Sequence, residues 1–261
     1  MKRKVIVDTD PGIDDLLALA MVNALSDYEI LAFSTVHGNV SLDYTTRNAA
    51  LISDLLNMDI PIIKGASSPL YYDKKEVSPV NGKDELAKLY DHYRNQVDVK
   101  NKIMESNKLD EMILNSNEKI TIVALGPLTN IARLLLENEG IEEKIQEIHI
   151  MGGGLTFGNI NELAEFNFYS DSQAANVVLQ SSIPVILSPL DLTHKIYFTE
   201  SEFDTLDDHN LKLEFIKESV KFYMSLDPYM HDVCSILTLD RPDLFEFEEV
   251  DVDVIVGNNK A

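Results

Sequence analysis

Four aspartates, Asp8, Asp10, Asp14 and Asp15, fall within eight residues, and Gly12 stands between them where the backbone can turn tightly. Local helix chemistry accounts for one or two of them, because an acid at a helix N-terminus caps free N–H groups and faces the positive end of the dipole. It does not account for four. Carboxylates this close either raise one another's pKa or share a cation, and an oxygen-only set without His or Cys selects calcium or magnesium over zinc. Farther along, Glu165 and Asn167 stand two residues apart, so an extended segment turns both toward one face. His231 precedes Asp232, which sets a group that titrates near neutrality beside a further carboxylate.

Regular elements must position these groups. Lys4 to Thr9 is apolar on both faces, as in a central parallel strand, and Pro11-Gly12 ends it before the helical run Ile13 to Leu25. The alternation repeats: strand Glu29 to Val36, helix Leu42 to Leu56, strand Ile60 to Lys64, strand Lys119 to Leu125, and a helix from Gly126-Pro127 through Leu136. Strands over Glu147 to Met151, Pro184 to Leu187 and Val250 to Val256 follow, and residues 200 to 240 read as mostly helical. This pattern predicts an α/β fold, a single domain over residues 1–261 built on a mostly parallel, doubly wound sheet whose ligand site lies beyond the carboxyl ends of the strands. Ser67 to Asn117 is polar, helix-leaning and poor in strand signals, an excursion over the site or a surface flap.

Composition narrows the function. The chain has 22 basic and 44 acidic residues, a net charge of −22, and so repels phosphate backbones and anionic lipid heads. Nucleic acid and membrane surfaces are thus not expected partners, and the sequence shows no secretory or membrane-spanning segment. The lone cysteine, Cys234, makes no intramolecular disulfide, so a cytoplasmic location is expected.

The stretch Asp8-Thr9-Asp10-Pro11-Gly12-Ile13-Asp14-Asp15 before an apolar helix closely resembles the signature of the nucleoside hydrolases. The likeness extends in order through His37-Gly38-Asn39-Val40, Leu125-Gly126-Pro127-Leu128-Thr129-Asn130, Met151-Gly152-Gly153, Ala164-Glu165-Phe166-Asn167 and His231-Asp232. The resemblance implies calcium held by Asp10, Asp15, the Leu125 carbonyl and Asp232, with Asp10 as the general base that delivers water to the anomeric carbon. It also implies ribose bonded by Asp14, Asn39, Asn159, Glu165 and Asn167, with Met151 against the sugar face and His231 protonating the departing base. The expected substrate is a ribonucleoside, the expected purpose salvage, and the expected assembly a homo-oligomer, dimer or tetramer. His37 is expected to shape the loop that presents Asn39.

Some features depart from the family pattern. Asn81-Gly82-Lys83-Asp84-Glu85 replaces the usual His-Gly before an Asp-Gly in the loop after the third strand, and Glu162 stands where a proline is usual. Family members run on beyond Val250 to Val256, whereas this chain stops at Ala261, with an expected cost in stability or oligomer contact. No tryptophan is available to stack a purine, which leaves Tyr223, Tyr229, Phe157 or Phe168 as aromatic surface. Two alternatives stay open at this level. One is a non-catalytic nucleoside or ribose binder on the same fold, in which Asp10, Asp15 or Asp232 would be missing. The other is a magnesium-dependent phosphatase resembling the haloacid dehalogenases, which also begin with Asp-x-Asp but want Thr or Val at the position of Gly12, and for which Asp207-Asp208 would be the distal acidic pair.

Overall fold

The computed structural model describes residues 2–71, 86, 89–93, 103–204, 217 and 220–256. Seven parallel strands form one sheet in the order β4-β3-β2-β1-β5-β6-β7: β1 (Arg3–Thr9), β2 (Tyr28–Thr35), β3 (Ile62–Lys64), β4 (Ile103–Glu105), β5 (Ile120–Ala124), β6 (Ile145–Met151) and β7 (Val185–Ser188). The expected α/β class and doubly wound sheet are therefore present.

β1 shows why the sheet is buried on both faces. Its alternate side chains feed two cores: Val5 and Val7 pack on one side, while Ile6 packs on the other. The Val5 face is covered by α1 (Ile13–Ala24), α2 (Leu42–Leu55) and the helix His231–Asp240, through Leu16, Leu19, Ile52 and Ile236. The Ile6 face is covered by α4 (Asn107–Leu114), α5 (Thr129–Glu137) and α7 (Ser172–Leu179), through Ile113, Ile131 and Val178. Short helices α3 (Leu89–Tyr93), α6 (Phe166–Ser170), α8 (Leu190–Thr193) and α9 (Glu200–Asp204) lie between these, residues 217 and 220–224 are also helical, and His231–Asp240 is labelled α10.

The strand order sets the site. From β1 the chain builds outward through β2, β3 and β4, then returns to the opposite flank of β1 with β5. The connections after β1 and β5 therefore diverge, and parallel sheets of this type bind ligands in the crevice left at such a point. Asp8 pairs in register with Ala124, and Thr9 with Thr35, so the residues next in sequence, Asp10, Leu125 and Val36, leave the sheet together.

Two sequence expectations change. A strand, β4, lies inside the segment read as poor in strand signals; its three residues are exposed at the sheet edge and so lack the apolar pattern that marks a buried strand. Val250 to Val256 forms no strand, because no ladder joins it to the sheet; its alternation of half-buried valines with exposed residues reflects leaning, with Val254 packed on the second core. The loop Asn81 to Glu85 and the pair Asp207-Asp208 lie outside the described residues.

Candidate active site

Asp10 follows β1 directly and is enclosed by backbone. A Cβ added at Gly38, after β2, would collide with its Oδ2, and one added at Gly126, after β5, would collide with its Oδ1. Only glycine lets both loops close on the carboxylate, which also accepts the Asn39 N–H at 2.7 Å. α1 then begins, and Asp15 in its first turn accepts the Gly12 N–H at 3.0 Å and the Thr9 hydroxyl. Helix capping thus explains the orientation of Asp15, as the sequence allowed. Asp14 Oδ2 accepts the Asp232 N–H at 3.3 Å, tying α1 to the start of α10, while its Oδ1 is buried without a hydrogen-bond partner.

These groups line one cleft of about 320 Å³. Asp10, Asp14, Asp15, Asn39, Leu125, Met151, Asn159, Glu165, Asn167, His231 and Asp232 all face it, so the residues to which the resemblance gave a metal, sugar or proton role come to the same place. Asp8 does not line it: Asn130 donates to its Oδ1 at 2.7 Å, and burial pushes its pKa up to about 7. Asn130 also donates to the Thr35 carbonyl and accepts from Ala66 N–H, so it fastens the ends of β1 and β2 to the turn after β3.

The electrostatics are those of an uncompensated cluster. Burial, followed by the charge of Asp15, raises Asp10 well above the ordinary carboxylate range. Asp232 is raised in the same way, by burial and then by Asp15, Asp14 and Asp10. Burial also raises Asp15, and it lifts Asp14 to about 7 against a pull downward from His231. Among the described residues no lysine or arginine pairs with any of the four. Nor do three His, Cys, Asp or Glu side chains already stand at metal-binding spacing among those residues. The donor chemistry still fits a hard divalent cation: buried oxygen ligands, mutual repulsion and an orphaned carboxylate oxygen are what such an ion relieves.

The opposite wall is held from behind. Glu165 is not in an extended segment with Asn167, as the spacing predicted; it is the N-cap of α6 and accepts the N–H groups of Asn167, Gly153 and Phe168 at 2.8, 2.8 and 3.1 Å. Capping replaces strand alternation, and both side chains still reach the cleft. Burial raises the Glu165 pKa against those three donors. Asn167 Nδ2 donates to the Leu125 carbonyl at 2.8 Å and to the Met151 carbonyl at 3.2 Å. Asn159 Oδ1 accepts the Phe166 N–H at 2.9 Å. The turn carrying Glu162 is closed by Gly158 N–H to its carbonyl at 3.2 Å, so the missing proline leaves that loop bonded.

His231 opens α10 and is engaged at both ring nitrogens: Nδ1 lies 2.7 Å from Thr193 Oγ1 and Nε2 lies 3.3 Å from Asp227 Oδ2. Burial lowers its pKa, but the Asp227 bond and the charge of Asp14 outweigh it and leave the value raised. Behind it, His194 stacks on Tyr229 with centroids 4.1 Å apart and meets the edge of Phe157 at 4.9 Å. Of the aromatics considered for the base, Tyr223 lines the cleft, whereas Tyr229 and Phe157 pack around His194 and Phe168 lies against Gly152 and Gly153. His37 Nε2 lies 3.2 Å from Thr129 Oγ1, which donates to Asp171 at 2.7 Å, consistent with a part in shaping its loop. Sequence reasoning missed Asp227, Thr193 and His194, which carry no motif; the i,i+4 spacing of Asp227 and His231 was the only signal available.

Known proteins resemble this chain in sequence and in fold. The family model for inosine-uridine preferring nucleoside hydrolases matches residues 5–261. The non-specific ribonucleoside hydrolase RihC of Shigella flexneri serotype 5b is 34% identical over 251 residues, covering 94% of this chain and 81% of the relative. Among solved structures, a plant nucleoside hydrolase, PpNRh1, superposes with a TM-score of 0.86 at 28% identity, over 94% of this chain and 81% of its own. A purine-preferring ribonucleoside hydrolase from Gardnerella vaginalis gives 0.87 at 26% identity, over 99% and 86%.

Proposed function

Since the chain belongs to the inosine-uridine preferring nucleoside hydrolase family, we propose that it hydrolyses the N-glycosidic bond of ribonucleosides to free base and ribose, with calcium as its cation. One observation carries this reading: a buried, unneutralised carboxylate cluster faces a wall of hydrogen-bonding amides and a doubly held histidine across one cleft.

Asp10, Asp15, Asp232 and the Leu125 carbonyl would hold the cation, the second lone pair of that carbonyl being left after its bond from Asn167. When bound, such an ion collects sugar hydroxyls and acidifies water. Asp10, fixed by the Asn39 N–H, takes the proton of the attacking water. Asp14, Asn39, Asn159, Glu165 and Asn167 bond the ribose hydroxyls, with Met151 beside the sugar. The carboxylates stabilise the positive charge that the ring develops as the bond to the base breaks. His231, braced by Thr193, gives the departing base its proton. The same family reading supports a cytoplasmic salvage enzyme working as a dimer or tetramer; no helix among the described residues is long and apolar enough to cross a membrane.

The test is reducing-sugar release from inosine, adenosine, guanosine, uridine, cytidine and deoxyinosine, with and without EDTA. Ribose release that is abolished by the chelator and restored by calcium is expected, with deoxyinosine rejected because its missing hydroxyl leaves buried partners unpaired. Binding of nucleosides without release would leave a binder on a hydrolase fold.

A further inference from the structure

Among the described residues, Asp227 is the carboxylate of the cleft that neither the cation set nor the ribose set uses. It differs from most of the others in exposure. Asp10, Asp15, Asp232 and Glu165 are buried, whereas the Asp227 side chain is 40% exposed at the rim. Its position is nevertheless fixed, because Oδ1 accepts the Tyr229 N–H at 3.1 Å and Oδ2 is left 3.3 Å from His231 Nε2. Thr193 occupies the other ring nitrogen of His231. A hydrogen-bond donor and an acceptor therefore stand side by side on the part of the cleft where His231 meets the leaving base.

The complement of that pair is an acceptor beside a donor, which on a nucleobase is a carbonyl next to a ring N–H. Uracil, hypoxanthine and guanine carry this lactam edge. Cytosine and adenine present an unprotonated ring nitrogen there, whose lone pair a carboxylate repels. We propose that Asp227 is a specificity-determining residue, its carboxylate taking the ring N–H of a lactam base while His231 bonds the adjoining carbonyl. This rests on the ribonucleoside reading above. Oδ2 keeps a donor throughout: it accepts from His231 in the free protein and from the base in the complex, where the long 3.3 Å Nε2–H contact is shared with the adjoining carbonyl. The acceptor-only state is supported by the Asp227 pKa, which burial pushes up but the bond and charge of His231 bring below the ordinary range.

The experiment measures kcat/KM for uridine against cytidine, and inosine against adenosine, using the full chain with calcium. Asp227→Asn replaces an acceptor with an amide that can donate to the bare nitrogen of cytosine, so the uridine-over-cytidine ratio is expected to fall at least about tenfold, and inosine over adenosine in the same direction. Asp227→Ala is expected to bring both ratios toward one. Ratios unmoved in both variants overturn the proposal, as does an equal loss on every substrate including p-nitrophenyl riboside, which has no such edge and would report a purely structural role. If the parent chain releases no ribose, the hydrolytic reading fails, and the same ratios taken from dissociation constants by calorimetry still decide the role of Asp227.

Discussion

A base that must accept a proton has to be immobile yet unneutralised, and Asp10, proposed for that role, meets both demands through backbone alone. Gly38 and Gly126 let two loops close on it, and the Asn39 N–H fixes one oxygen without supplying a full charge. Asp10→Asn is expected to keep the fold and lose about three orders of magnitude in kcat/KM for ribose release, within the range of a lost general base; turnover near that of the parent would remove Asp10 from the role. Gly38→Ala tests placement rather than chemistry: its methyl pushes on the carboxylate, and about a hundredfold loss is expected with an unchanged circular dichroism spectrum. Residues of this kind were legible in the sequence because type and spacing declared them, four acids around a glycine. Asp227 and Thr193 were not, since their relevance is their distance to His231, which only the fold sets.

At the level of elements, the site depends on caps as much as on strands. Glu165 caps α6 and Asp171 caps α7, and Asp171 also accepts from Thr129 and from the Leu70 N–H at 2.9 Å. Asp171→Ala would leave a helix N-terminus, a buried hydroxyl and a loop N–H seeking other partners. A loss of about 2 kcal/mol is expected in urea unfolding, larger than a cap alone costs; a change under about half of that would mean water replaces the carboxylate. β1, β2 and β5 were legible because apolar runs between turn residues state burial on both faces, and β6, though broken by Gln146, Glu147 and His149, because Gly152, Gly153 and Gly154 close it. β4 was not, as three exposed residues carry no burial pattern, and Val250 to Val256 misled because alternation states half-burial and says nothing about a pairing partner.

For the whole molecule, the balance of protons follows from the cluster. In the cation-free protein burial holds Asp8 and Asp14 at about 7, against an ordinary 3.8. Between those values the folded chain binds more protons than the unfolded one, so stability falls as pH rises through the window. In EDTA the melting temperature is expected to be lower at about pH 8 than at about pH 5, and calcium to raise it more at the higher pH. A chelated protein that melts alike at both would show that the cluster is already compensated. The link between Asp14 and the Asp232 N–H spans 218 residues of chain. Synthesis proceeds from the N-terminus, so β1 and α1 leave the ribosome long before α10 does. The acidic turn is therefore made well before its partner, and a nascent polypeptide short of α10 has a sheet to fold but lacks Asp232, one of the four oxygen donors proposed for the cation.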